Sequence, residues 1–201
     1  MSGSIVSIVE GHGEVDALPR LLGRLASWLG RPDLRIPRPL RCPKSKLMKD
    51  GELERLIQLA VSKAQPGGAV LVLLDADEDC PKEVAPRLLR RARNIAWNSP
   101  LSVVLAKCEY EAWFLASIES LRGKRGIRLD AEFAGDPESV TGAKERIKSL
   151  MISGNTYSET LDQPALTAHI DFETAKSRSP SFSKLFRDIQ RMVAEIPPQT
   201  V

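Results

Sequence analysis

Three groups of acids stand at or near the ends of apolar runs, and folding alone does not demand acids there. Glu10 follows the run Ile5–Val9, Asp75 and Asp77 follow 69–74, and Glu109 and Glu111 follow 101–106. Carboxylates gathered in one place repel one another unless they are protonated or bridged by a cation. Hard oxygen ligands of this kind suit Mg²⁺ or Mn²⁺. In an Asp-x-Asp pair at a strand end, both side chains can turn towards one ion. The pattern nominates Glu10, Asp75 and Asp77 as metal ligands. Glu109 and Glu111 either complete a second metal site or anchor a helix through Trp113. Acids after strands also serve as turn residues and helix caps. That reading suits Glu78 and Asp79, which lead into a helix at Pro81. It also suits Glu14 and Asp16, which complement the dipole of a first helical turn.

Basic residues are grouped as well. Arg38, Arg41, Lys44, Lys46 and Lys49 share a segment without an acid; Arg87, Arg90, Arg91 and Arg93 crowd one helix; Arg122, Lys124, Arg125 and Arg128 form a third set. Such a set is either a solvated face or a contact for phosphates beside a metal centre. Arg41, Lys44 and Lys46 are candidate phosphate contacts. So are His12, equally an exposed turn residue, and Lys107, equally a helix-entry lysine. His169 reads as structural. The net charge of +3 sums these opposed populations, so it does not argue against a phosphate substrate. Cys42, Cys80 and Cys108 are too scattered for a zinc or disulfide framework.

Other motifs fail. Gly11-His12-Gly13 lacks the third glycine of a dinucleotide fingerprint. No phosphate-binding loop or Gly-x-Ser-x-Gly elbow is present. A haloacid-dehalogenase phosphatase wants Thr or Val where Asp79 stands.

These residues need elements to hold them. Ile5–Val9 reads as a buried strand. Val15, Leu18, Leu22, Leu25 and Leu29 mark a helix with Asp16 as N-cap, Pro19 in its first turn and Gly30 as its end. The stretch 34–41, with Pro37 and Pro39, reads as an edge strand or an extended loop. A helix from about Asp50 stops at Pro66-Gly67-Gly68. The run 69–74 is apolar on both faces, as a central parallel strand is. A helix over 81–97, a strand over 101–106 and a helix from 109 to 121 follow. The last clear element is an amphipathic helix, opened by Ser179-Pro180 and closed by Pro197-Pro198. Strands alternating with helices imply an α/β fold with a mostly parallel sheet. The expected organisation is an α/β domain over 1–121 and a mainly helical C-terminal extension over 122–201 packed on it, the two forming one compact unit. The longest apolar run is far short of the ~20 residues of a membrane span, and no signal-peptide layout opens the chain, so a cytoplasmic place is expected.

Val9-Glu10-Gly11 and Leu74-Asp75-Ala76-Asp77 resemble the two parts of the Toprim motif, over about 4–108. Separately, residues 9–14, the Asp75-Ala76-Asp77 strand end, residues 109–114, Leu161-Asp162-Gln163-Pro164 and Ser179-Pro180-Ser181-Phe182 resemble the bacterial Toprim-like family called domain of unknown function 4276. The resemblance implies a Toprim-like (Rossmann-like) sheet. It implies Mg²⁺ at Asp75 and Asp77, with Glu10 as ligand or general acid/base. The expected function is an Mg²⁺-dependent nuclease acting on DNA or RNA, in anti-phage defence beside an ATPase partner by analogy. The alternative is a non-catalytic Toprim-like subunit that regulates or targets such an ATPase. A metal-assisted nucleotide-sugar enzyme ranks last, since it leaves Glu10-Gly11 unexplained.

Overall fold

A strand buried on both faces needs cover on both. In the computed structural model, which describes residues 3–64, 67–96 and 98–198, β1 (Ile5–Val9), β3 (Ala69–Asp75) and β4 (Leu101–Ala106) are such strands. With β2 (Leu40–Arg41) they form one sheet in the order β2-β1-β3-β4, every pair parallel. Side chains alternate between its faces as the two-residue period requires. Ile5, Leu71, Leu73 and Val104 join the core beneath α1 (His12–Trp28) and α9 (Pro180–Glu195). Val6, Ile8, Val72, Val103 and Leu105 join the core beneath α3 (Glu52–Ala64) and α4 (Pro81–Arg93). The fold is α/β and Rossmann-like, with a helical C-terminal region: α6 (Ala143–Ser149), α7 (Glu159–Thr167), α8 (Phe172–Arg178) and α9. Among the described residues, no helix is long and apolar enough to cross a membrane.

Several boundaries differ from the sequence expectation. α1 begins at His12, capped by the backbone of Gly11, not at Asp16. Asp16 is exposed and meets Arg38 at 3.0 Å instead. Pro19 therefore lies inside the helix, where it forgoes one backbone bond. Of the stretch 34–41, Leu40 and Arg41 form the edge strand, and Arg35 adds an isolated parallel bridge to Ser4. A short helix, α2 (Lys44–Leu47), has no apolar period to announce it. The helix expected over 109–121 breaks into α5 (Ala112–Ala116) and a 3₁₀ turn (Ile118–Leu121). Ser117 Oγ donates to the Trp113 carbonyl at 3.3 Å, the local competition that disfavours serine within helices. α4 ends at Arg93, and Pro66 and Trp97 lie outside the described residues. α9 starts as expected: Ser179 Oγ accepts from the Phe182 N–H at 3.0 Å, and Pro180 takes the first position.

Candidate functional site

The carboxyl ends of β1, β3 and β4 meet at one edge of the sheet, the place where open α/β sheets bind ligands. Asp75 closes β3, and its Oδ1 accepts from the Tyr110 N–H at 2.9 Å. The Asp77 N–H donates to the Cys108 carbonyl at 2.8 Å, so the loops after β3 and β4 are tied together. Both residues at that tie are left-handed, with φ of 51° at Asp77 and 59° at Cys108. Aspartate tolerates this region better than most residues. Glu10 follows β1. Its Oε1 accepts from the Lys44 N–H at 3.3 Å, while its buried Oε2 has no partner.

Lys44 governs the outer half of the site. Its buried ammonium donates to the Ala76 carbonyl and to Asp77 Oδ2, both at 2.9 Å, and lies 3.0 Å from Asp79. Burial opposes the charge, but bonds to Asp77 and Asp79 outweigh it and raise its pKa. Glu10 is pushed above the ordinary carboxylate range, chiefly by burial; the Lys44 N–H opposes this and Asp77 adds to it.

The inner half is more acidic. Burial, then the charges of Glu14 and Glu111, push the Asp75 carboxyl well above its usual range. Burial also raises Glu14 and brings Glu111 up to about 7. Glu111 is wholly enclosed. Its Oε1 accepts from Tyr157 Oη at 2.7 Å and Gln163 Nε2 at 3.2 Å, while its Oε2 and Gln163 Oε1 are left without partners. Lys144 lies 2.9 Å from Glu159 and 3.9 Å from Glu109, and its N–H donates to Glu109 at 3.2 Å.

Glu10, Asp75 and Asp77 therefore occupy one end of the sheet, but Asp77 is drawn outward to Lys44. Glu111 faces Asp75, whereas Glu109 turns to Lys144. Lys44, expected among the phosphate contacts, directs its charge inward. Arg41 is exposed and donates to the Glu10 carbonyl at 3.4 Å. Lys46 is exposed and lies 3.9 Å from Glu52. His12 is exposed at the start of α1, and Lys107 lines a groove with Glu78 and Asp79. The sequence reading missed four participants: Glu14, Lys144, Tyr157 and Gln163. Glu14 had a signal, four residues beyond Glu10, which the helix-dipole explanation absorbed. Gln163 stands in the stretch Leu161-Asp162-Gln163-Pro164 that carries the family resemblance, but with no role attached; Lys144 and Tyr157 come from weakly patterned segments and carried no signal.

Among the described residues, no group of three or more His, Cys, Asp or Glu side chains stands ready to hold an ion. Mg²⁺ does not need one: it commonly takes one or two protein carboxylates, with water and substrate phosphate completing its shell. Glu10 and Asp75 fit that open kind of site, and the unpartnered Glu10 Oε2 is an oxygen without another employment.

No curated protein and no solved structure matches the chain. One family model matches residues 9–190, nearly the whole length and every site residue discussed above. The chain belongs to the family described as domain of unknown function 4276.

Proposed function

We propose that the protein is an Mg²⁺- or Mn²⁺-dependent phosphodiesterase acting on DNA or RNA in the cytoplasm. The observation that carries this reading is the cluster of Glu10, Glu14, Asp75 and Glu111 at the carboxyl end of the sheet, with raised pKa values and two buried oxygens lacking partners. Such a cluster is costly unless its carboxyls are protonated or a cation bridges them. Glu10 and Asp75 would hold the ion. When bound, it supplies Lewis-acid neutralisation of charge on the reacting phosphate. Glu10 would serve either as that ligand or, where Asp75 holds the ion alone, as the group that moves a proton beside the phosphate. Lys44 fixes the loop of Asp77 and Asp79, and a backbone would pass beside exposed His12 and Arg41, which donates to the Glu10 carbonyl.

Purified protein should cleave a nucleic acid when Mg²⁺ or Mn²⁺ is added and stop when it is chelated. Glu10→Gln and Asp75→Asn should each lower the rate at least ~100-fold, with unchanged circular dichroism. Absence of cleavage from DNA and RNA, single- or double-stranded, would sink the reading. The second reading is a non-catalytic subunit serving an ATPase. Its supporting observation is Lys44, whose ammonium already neutralises Asp77 and Asp79. It requires no cleavage by the chain alone and a stable complex with the ATPase on co-purification.

A further inference from the structure

The outer acids at the carboxyl end of the sheet already hold a cation, and that cation belongs to the chain. An ammonium has three hydrogens to donate. Three oxygens meet that of Lys44: the Ala76 carbonyl and Asp77 Oδ2, both at 2.9 Å, and Asp79 Oδ2 at 3.0 Å. No hydrogen is left over for a ligand. The Lys44 side chain is 11% exposed, whereas those of Asp77 and Asp79 are 61% and 45% exposed. The two acids therefore reach water and need no lysine to solvate them. Burying an ammonium carries a desolvation penalty that only good geometry offsets. A turn of solvated acids gives no reason to place one there.

The neighbouring acids supply a reason. The Lys44 N–H donates to Glu10 Oε1 at 3.3 Å. Glu10 interacts with the charge of Asp75 as well as with those of Lys44 and Asp77. The ammonium is thus a near neighbour of the pair that fits Mg²⁺. Sites that use two ions on one phosphate hold them about 3.5–4 Å apart. A second ion has no room among the outer oxygens while Lys44 is there. Mg²⁺ needs its oxygens at about 2.0–2.1 Å, and these three stand at hydrogen-bond length around a like charge.

We propose that Lys44 is a built-in second cation: its ammonium fills, at Ala76, Asp77 and Asp79, the place of a second metal ion, so that the site works with one exchangeable ion beside Glu10 and Asp75. Lys44 takes this role only if the site is the metal-dependent one proposed above. It is then a positioning residue. It does not bond the phosphate; it neutralises Asp77 and Asp79, whose charges would otherwise repel one. Asp77 serves the site through Lys44 and not as a metal ligand.

The test counts Mn²⁺ bound by the full chain, from the loss of the free-ion electron paramagnetic resonance signal, for sites tighter than ~1 mM. The wild type should bind one ion, and Asp75→Asn should remove it. Asp77→Asn combined with Asp79→Asn keeps acceptors for Lys44 and should leave that ion in place. Lys44→Ala should gain a second ion, and adding the two Asn changes should remove the gain. At Mn²⁺ that fills one site, Lys44→Ala should cleave at least ~10-fold more slowly than the wild type, and Mn²⁺ that fills both should restore the rate. Loss of the wild-type ion in the double Asn variant, no ion gained by Lys44→Ala, or a defect that Mn²⁺ does not repair would each overturn the proposal. A thermal melt checks that Lys44→Ala folds, and the double Asn variant decides if it does not. A wild type without an ion, beside a Lys44→Ala variant that gains one, would count against the phosphodiesterase and leave Lys44 as the cation of the outer acids.

Discussion

Glu111 shows how one enclosed carboxyl stores a pH dependence. Its folded pKa of about 7 stands above the ordinary 4.5, burial being the main cause. Between those values the folded chain holds a proton that the unfolded chain has released. Stability is then complete below about pH 4.5 and is lost as pH rises towards 7, the reverse of the usual acid case. Glu111→Gln keeps an acceptor for Tyr157 and removes the ionisation. The variant should gain up to about 3 kcal/mol over the wild type at pH 8, with the gap closing towards pH 4.5. Urea denaturation across this range measures it, and a gap that widens towards acid would refute the assignment. The residue types of this cluster could be read in part from sequence. Glu10, Asp75 and Asp77 were visible because each follows an apolar strand. The Lys44 ammonium between Asp77 and Asp79 was not, since its reach depends on the left-handed turn at Asp77.

The elements were legible where a period was strong. β1, β3, β4, α3 and α9 announce themselves by alternation, by a continuous apolar run or by caps. α1 did not begin where its best capping side chain stands, because packing set the start. Gly13 lies in its first turn against α7, and an added Cβ would sit 2.1 Å from Gln163 Oε1 and 2.9 Å from the Glu159 carbonyl. An acidic residue in the helix was more visible than a glycine that admits a neighbouring backbone. Gly13→Ala should therefore destabilise by roughly 1–3 kcal/mol, since the α7 backbone must move. It should also disturb the Gln163 bond to Glu111. Gly23, ten residues along the same helix, meets nothing within 4 Å. Gly23→Ala should stabilise by about 0.5–1 kcal/mol through helix propensity. Chemical denaturation of both variants checks the pair, and equal signs would show that the contact with α7 is unimportant.

The molecule closes its core with residues from both ends of the chain. The face of the sheet under α1 also buries Ile147, Leu166, Phe182, Leu185, Ile189 and Met192. Trp113 packs its ring edge-on to Phe182, at 5.4 Å between centroids, and its Nε1 donates to Ser181 Oγ at 2.9 Å. The site is divided in the same way. Glu111 comes from the first part of the chain, but Tyr157, Gln163 and Lys144 hold and balance it from the second. A fragment of residues 1–121 would uncover that face and leave Glu111 without its bonds. Phe182, Leu185, Ile189 and Met192 are each fully buried, and burial of such side chains contributes roughly 1.5–3 kcal/mol apiece. Their combined loss of about 6–12 kcal/mol matches the whole stability of an ordinary domain. The fragment should therefore show no cooperative thermal transition and no dispersed amide spectrum, whereas the full chain shows both. A cooperative melt of the fragment would mean that the α/β half stands alone and that the helical region serves the site without supporting the sheet.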